Sequence, residues 1–292
     1  MTTENKALTL PDDVFHLFRD LMYAQSGVVL DEHAKYFVEN RLLHSVRRLQ
    51  LDSFRDYYFY LKYDRKKNEE LANVIDLLTI HETYFFREEQ QLKSFSEEIL
   101  PEIASQKKNA KSLRIWSAGC STGEEPYTIS MMIQEKPEFK DWAIEIFATD
   151  ISQRVLQSAR RGIYQPLAFR STDPKYLSKY FKKEESAFRI SDDVRKNVVF
   201  LHLNLMDGGK LAFLNPMDII FCRNVIIYFD GTAKRRVIET FHSKLKDNGY
   251  LLLGHSESLI NISTSFALRH LKHDMVYQKL QHHSTPPSKG SP

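Results

Sequence analysis

The stretch LRIWSAGCSTGEEPYTIS, residues 113–130, constrains this chain more than any other. The apolar, β-rich run Leu113-Arg114-Ile115-Trp116 breaks at Ala118-Gly119. It turns through Cys120-Ser121-Thr122-Gly123 and resumes at Glu124 with helix-forming residues. A strand, a glycine turn and a helix start follow from that order. Gly119 and Gly123 can take backbone angles closed to other residues, and without Cβ they let a ligand lie against the main chain. The turn reads G-x-x-x-G and is followed by two carboxylates, Glu124 and Glu125. A pyrophosphate needs the positive helix end left free, so the acids point to a ligand that is not a polyphosphate and disfavour a nicotinamide dehydrogenase.

A chain of 292 residues with 42% hydrophobic content is expected to form one large core and a smaller satellite domain. The net charge of +3 is too mild for nucleic-acid binding to be the main activity. The opening MTTENKALTLPDD lacks the apolar core of a signal peptide, and no run approaches the ~18 apolar residues of a membrane span. A soluble cytoplasmic protein is expected. Cys120 and Cys222 both fall beside expected strand ends, which favours two free thiols over a disulfide or a metal site.

From Asp12 to about Leu100 the apolar residues keep helical spacing: Val14, Phe15, Phe18 and Leu21, then Phe37, Val38, Leu42 and Val46, then Leu71, Val74, Ile75 and Leu78. An N-terminal helical domain over 1–100 is expected. After Pro101 strands alternate with helices, at 113–118, 144–149, 198–203, 218–221 and 250–254. This predicts an α/β fold with a mainly parallel sheet covered on both faces over 101–281. A helix through Ala233, Val237, Ile238, Phe241 and Leu245 is expected to stop at Asn248-Gly249. Residues 266–280 supply two more strands, one antiparallel. The charged, glycine-free segment 163–197 reads as an insertion on the sheet, and the tail 282–292, HHSTPPSKGSP, as disordered.

In an open parallel sheet the ligand sits beyond the carboxyl ends of the strands. The second strand ends in Asp150, whose carboxylate suits two adjacent ribose hydroxyls; the competing role is a helix cap, which Ser152 fills equally well. A later strand ends at Asn204, whose amide suits an adenine edge or serves as an ordinary strand-end asparagine.

Five segments in order resemble the CheR chemotaxis receptor methyltransferases: HETYFFRE at 81–88, WSAGCSTGEEPYTIS at 116–130, FATDISQRVLQSARRGIY at 147–164, FCRNVIIYFD at 221–230 and GHSESL at 254–259. The resemblance covers most of the chain. It implies a Rossmann-like S-adenosylmethionine-dependent methyltransferase that esterifies glutamate side chains on chemoreceptors and releases S-adenosylhomocysteine. Residue by residue it implies cofactor contacts at His81, Thr83, Arg87, Gly119, Gly123, Glu125, Asp150, Asn204, Leu205, Arg223 and Asn224. Arg87 and Tyr228 fall beside the transferred methyl. His81 stands where the family usually has asparagine.

That chemistry asks little of the protein. A glutamate has a reference pKa near 4.3, so the nucleophile is already charged at neutral pH and no general base is required. Orientation and desolvation are left to supply the rate. The ordinary roles of the two candidates are a surface ion pair of Arg87 with Glu88 or Glu89, and a core position for Tyr228.

The helical region carries Arg41, Arg47 and Arg48 on one expected helix, with Arg41 and Arg48 seven apart and so on one face. Because the family's receptors present glutamate-rich cytoplasmic coiled coils, a basic helix here is expected to dock them; the alternative is a merely solvated face. The resemblance also makes 163–197 a small β-subdomain, through which some family members hold a receptor tail peptide; its charged, glycine-free character argues against a tether here. The expected protein is a monomer that binds no nucleic acid and does not insert in a membrane. Two rivals stay open: a methyltransferase acting on another nucleophile, and a non-catalytic cofactor- or receptor-binding signalling module.

Overall fold

The computed structural model describes residues 8–280; the tail expected to be disordered, 282–292, lies outside them. Helix α1 (Asp12–Ser26) begins with two acids, which favour the positive helix end, and stops at Gly27 in the left-handed region. It packs with α2 (Lys35–Arg48), α3 (Phe54–Tyr63) and α4 (Lys67–Leu78). Their core holds Val14, Phe15, Phe18, Val38, Leu42, Val46, Phe54, Tyr57, Val74 and Leu78. Sequence periodicity missed α3, an aromatic run with weak helix propensity. Its legible signal is the cap: Ser53 Oγ accepts the Asp56 N–H at 3.1 Å and donates to the Asp56 carboxylate at 2.6 Å.

Helix α5 (Glu89–Ser94), a π-helical turn at Phe95–Ile99 and α6 (Leu100–Gln106) continue the helical pattern but pack elsewhere. Leu92, Phe95, Ile99, Leu100 and Ile103 join the core on one face of the sheet. By packing, the division therefore falls near residue 80 and not at 100. An unbroken helical period conceals such a change of partner.

The strands are β1 (Ser112–Ala118), β2 (Ala143–Asp150), β3 (Ile163–Tyr164), β4 (Phe181–Glu184), β5 (Ala187–Ile190), β6 (Val198–His202), β7 (Met217–Cys222), β8 (Leu245–Leu253), β9 (Phe266–His270) and β10 (Met275–Lys279). Seven form one sheet in the order β6-β2-β1-β7-β8-β10-β9. Its first five strands run parallel, and β10 is antiparallel to both neighbours. Helices α7 (Glu124–Gln134), α8 (Gln153–Arg161) and α11 (Gly231–Lys244) make crossovers. The chain steps outward from β1 to β2 and β6, then returns to place β7 on the other side of β1. The switch point lies between β1 and β7, where an open α/β sheet leaves a crevice.

Helix α11 ends at Lys244, four residues before the expected stop. Leu245 already pairs with Met217, the register jumps to Tyr250 opposite Ile219, and Asn248 (φ 63°) turns inside this irregularity. Lys246 leaves the helix path to pair with the buried Asp218 at 2.8 Å.

The segment at 163–197 holds β3, β4 and β5 as a small antiparallel sheet ordered β3-β5-β4, with α9 (Pro174–Tyr180) and α10 (Asp192–Arg195). Aromatic rings join it to the rest. Phe85 stacks on Phe169 at 5.1 Å and meets Tyr164 and Phe181 edge-on at 4.8 and 5.1 Å. The insertion thereby anchors the HETYFFRE segment.

Candidate active site

A cavity of about 500 Å³ lies at the switch point, a size suited to a small-molecule ligand. Its floor is the Gly119–Ser121 turn, one wall is residues 78–87, and the opposite wall is 203–205 with 223–229. The helical domain closes it with Val28, Leu30, Ala34 and Phe37.

Gly119 (φ 82°) takes a conformation few other residues adopt, and a Cβ there would collide with the Val225 side chain. The N–H groups of Gly119 and Cys120 both donate to the Thr149 carbonyl, at 2.8 and 2.9 Å, which folds the turn over the end of β2. Asp150 then accepts one N–H on each oxygen, from Ser121 at 2.8 Å and from Ser152 at 2.9 Å. Each oxygen keeps acceptor capacity for a hydroxyl. Ser152, not Asp150, caps α8, through the Val155 N–H at 3.3 Å. Burial raises the Asp150 pKa, opposed by those two N–H bonds and by His81.

Gly123 departs from its expected role: it does not line the cavity. Its φ of 94° and the closeness of its surroundings serve packing, since a Cβ would lie 2.9 Å from Ala159 Cβ and 3.1 Å from the Tyr164 hydroxyl. The two glycines of the motif thus serve different ends.

At the far side of the turn Arg223, 7% exposed, lies among acids. It pairs with Glu88 at 3.1 Å and Glu125 at 3.3 Å and donates to the Arg87 carbonyl. Ser117 donates to the other oxygen of Glu125 at 2.7 Å. Burial raises the Glu125 carboxyl, with Arg223 opposing. For Glu88 burial also acts upward, but Arg223 and Asn224 outweigh it and hold the group below the usual range. Two carboxyl groups share one guanidinium here, an arrangement with acceptor capacity left for a further cation.

Asn224 donates to Glu88 at 3.2 Å, while its buried Oδ1 has no hydrogen-bond partner among the described residues. An orphaned acceptor in a cavity wall requires a donor from outside the chain. Backbone strain marks the same place. Phe86 (φ 60°), Glu88 (φ 57°), Ser121 (φ 49°) and Asn224 (φ 59°) are left-handed without being glycine, and such residues persist where surrounding bonds hold them. Phe86 is held through Thr128 Oγ1 at 3.2 Å, and the Phe85 N–H donates to the Ala168 carbonyl at 2.9 Å.

Arg87 and Tyr228 both line the cavity. Arg87 donates to the Glu82 carbonyl at 2.6 Å, and its guanidinium lies 5.8 Å from the Tyr84 ring centre. Its expected surface partners are taken: Glu88 pairs with Arg223, and Glu89 with Lys93 at 2.8 Å. Tyr228 ends a short 3-10 turn, and burial raises its hydroxyl pKa while Arg87 acts against that. The Tyr228 carbonyl accepts the Val29 N–H at 2.9 Å, and Val28 bridges Phe229, so the helical domain grips this turn.

Residues 13–79 match the all-alpha domain of CheR methyltransferases, and residues 81–275 match the CheR methyltransferase SAM-binding domain. The chain belongs to the CheR methyltransferase family. It is 38% identical to chemotaxis protein methyltransferase 2 of Vibrio cholerae over 93% of this chain and 94% of that one. Against the chemotaxis protein methyltransferase of Borreliella burgdorferi it is 39% identical, over 85% and 88%. Against that of Escherichia coli the figure is 34%, over 90% of each.

The cofactor of a CheR methyltransferase is S-adenosylmethionine, and the cavity fits it. The orphaned Asn224 acceptor and the carboxyl oxygens of the Glu88–Arg223–Glu125 cluster suit its ammonium, Asp150 has capacity for ribose hydroxyls, and Leu203 and Leu205 give an apolar wall. Thr83 also lines the cavity. His81 does too, with Nε2 2.8 Å from Thr79 Oγ1; burial holds its pKa below the usual value, with Asp150 opposing.

Asn204 also lines the cavity. Its amide nitrogen donates to the Gln25 carbonyl of the helical domain at 2.6 Å and its oxygen accepts the Met206 N–H at 2.9 Å, and one N–H and one lone pair are left over. The basic helix is split. Arg48 pairs at 2.5 Å with Glu70, a buried acid that also takes Tyr57 at 2.6 Å. Arg41 and Arg47 are exposed, the former 5.3 Å from the ring centre of Phe37, which lines the cavity. Among the described residues no helix is long and apolar enough to cross a membrane.

Sequence reasoning gave Glu88 only a surface ion pair with Arg87 and gave Glu257 no role. The signal for both was an acid within a recognised motif, HETYFFRE or GHSES, where a solvated side chain is the default expectation.

Proposed function

We propose that this CheR methyltransferase converts glutamate side chains of chemoreceptors to methyl esters. The observation that supports this reading best is the cavity itself, whose lining includes Glu125, Arg223 and Asn224 together with Arg87 and Tyr228. Bound S-adenosylmethionine supplies an electrophilic sulfonium methyl. Asp150, Glu125 and Asn224 hold its polar groups, and the Gly119 turn admits it. A receptor glutamate arrives ionised, so no residue has to take a proton.

Arg87 and Tyr228 aim that carboxylate. Their positioning and the exclusion of water by Val28, Leu30 and Phe37 supply the rate, and such orientation is worth roughly 7–11 kcal/mol. Attack neutralises both reacting charges, so apolar walls favour the transition state over the separated ions. Arg41, one helical turn from Phe37, and Arg47 further along the same helix steer the acidic cytoplasmic coiled coil of the receptor to the cavity mouth. The enzyme works as a cytoplasmic monomer. Tandem mass spectrometry of receptor fragments after incubation with enzyme and cofactor tests the reading. It expects the added methyl on glutamates of the coiled coil; a methyl on lysine, or none, overturns it.

A further inference from the structure

Glu257 lies after β8 and is not among the residues that line the cavity. Its two oxygens accept four main-chain N–H groups. Oε2 takes Asn224 at 2.8 Å and Gly254 at 2.6 Å; Oε1 takes Val225 at 2.9 Å and Ile227 at 3.2 Å. Three of those donors open the Ile226–Tyr228 turn, whose first N–H groups have no intrahelical acceptor. Asn224 is also left-handed at φ 59°, a conformation that reverts unless bonds hold it.

The neighbourhood is shaped for this contact. A Cβ on Gly254 would lie 2.9 Å from Asn224 N and 2.8 Å from Asn224 Nδ2, so the absence of a side chain there lets β8 approach the turn. Only a carboxylate offers acceptors on both oxygens. A glutamine in the same place would set an NH₂ group against two of the four donors.

We propose that Glu257 is the positioning residue for methyl transfer: it clamps the 224–228 turn and thereby fixes Tyr228 and Asn224 relative to the bound cofactor. The proposal rests on the function proposed above only for its kinetic readout. The clamp acts through the backbone, so its loss displaces the turn without removing any group that meets substrate. Misplacement of reacting groups by about 1 Å can cost a hundredfold in rate.

The test uses the full chain with E257Q and E257D. Hydrogen–deuterium exchange followed by mass spectrometry reads the peptides spanning 222–230, and steady-state kinetics with receptor fragments reads kcat and KM separately. In E257Q the 222–230 peptides should exchange faster while those from β1 and β2 keep the wild-type rate. Its kcat should fall roughly ten- to a hundredfold, with KM for receptor within about threefold of wild type. E257D keeps both acceptors on a shorter arm and should lie between. Wild-type exchange and kcat in E257Q overturn the proposal, as does a kcat loss that only matches the fraction of unfolded protein. If E257Q does not fold, E257D decides by the same two readings. Absence of methyl transfer by wild type refutes the proposed function, and the exchange data still judge the clamp.

Discussion

Replacing Glu124 with glutamine should stabilise the protein in alkali and hardly at all in mild acid. Glu124 opens α7, where the helix end favours an anion, yet it is 4% exposed and its side-chain partner is the Thr122 hydroxyl at 2.7 Å. Burial pushes its carboxyl up from 4.5 to about 7, against the pull of Thr122 and of its own N–H. Between those two pH values the folded chain binds a proton that the unfolded chain has lost, so stability falls as pH rises through this window and then levels off. At 1.36 kcal/mol per pH unit the full cost of ionising the folded protein is roughly 3 kcal/mol. Glutamine keeps the shape and the Thr122 bond but never ionises. Urea unfolding of both proteins should therefore give equal stabilities to about 1 kcal/mol near pH 5, and a gain for Glu124→Gln of roughly 2–3 kcal/mol near pH 8. A gain that is the same at both pH values, or a wild type that is the more stable in alkali, refutes the assignment of burial as the dominant cause.

Gly123→Ala should cost roughly 1–3 kcal/mol in thermal or urea unfolding, from left-handed strain and the clash with Ala159, while calorimetric affinity for S-adenosylhomocysteine stays within a few-fold of wild type. Gly119→Ala should do the reverse in kind, since the displaced Val225 lines the cavity; its affinity should fall at least about tenfold, one factor of ten being about 1.4 kcal/mol. Arg87→Ala and Tyr228→Phe should each lower turnover at saturating cofactor by roughly tenfold or more, and wild-type turnover in both refutes their roles. Arg41→Glu with Arg47→Glu should raise KM for receptor roughly three- to tenfold and leave cofactor affinity alone, while added salt should weaken receptor methylation more than cofactor binding.

The parts of this molecule that obey a simple period were legible from sequence. The strands at 113–118 and 144–149 and the single antiparallel strand near the end follow from alternation and turn chemistry, and the strand ends then place Gly119, Asp150 and Asn224 around one crevice. Where two roles share one residue type, the sequence was silent. Gly119 and Gly123 look alike in a motif, yet one keeps Val225 clear of the turn and the other accommodates Ala159. Asn204 lines the cavity as its strand-end position suggests, yet no local pattern encodes the bond its amide also makes to Gln25 of the helical domain. Arg48 reads as a solvated cation until the fold brings a buried Glu70 to it across 22 positions. Glu257 and Glu88 act on backbone and on Arg223 from distant segments, and no local pattern encodes such partners.

The central claim is methyl transfer to carboxylate from a cofactor held at the β1–β7 switch point. Its most direct measurement incubates the enzyme with methyl-labelled S-adenosylmethionine and receptor cytoplasmic fragments, then treats the recovered receptor with base. Release of the label as volatile methanol, absent with Asp150→Ala, is the predicted result. Label that stays on the receptor through alkali, or that is never transferred by the wild type, contradicts it.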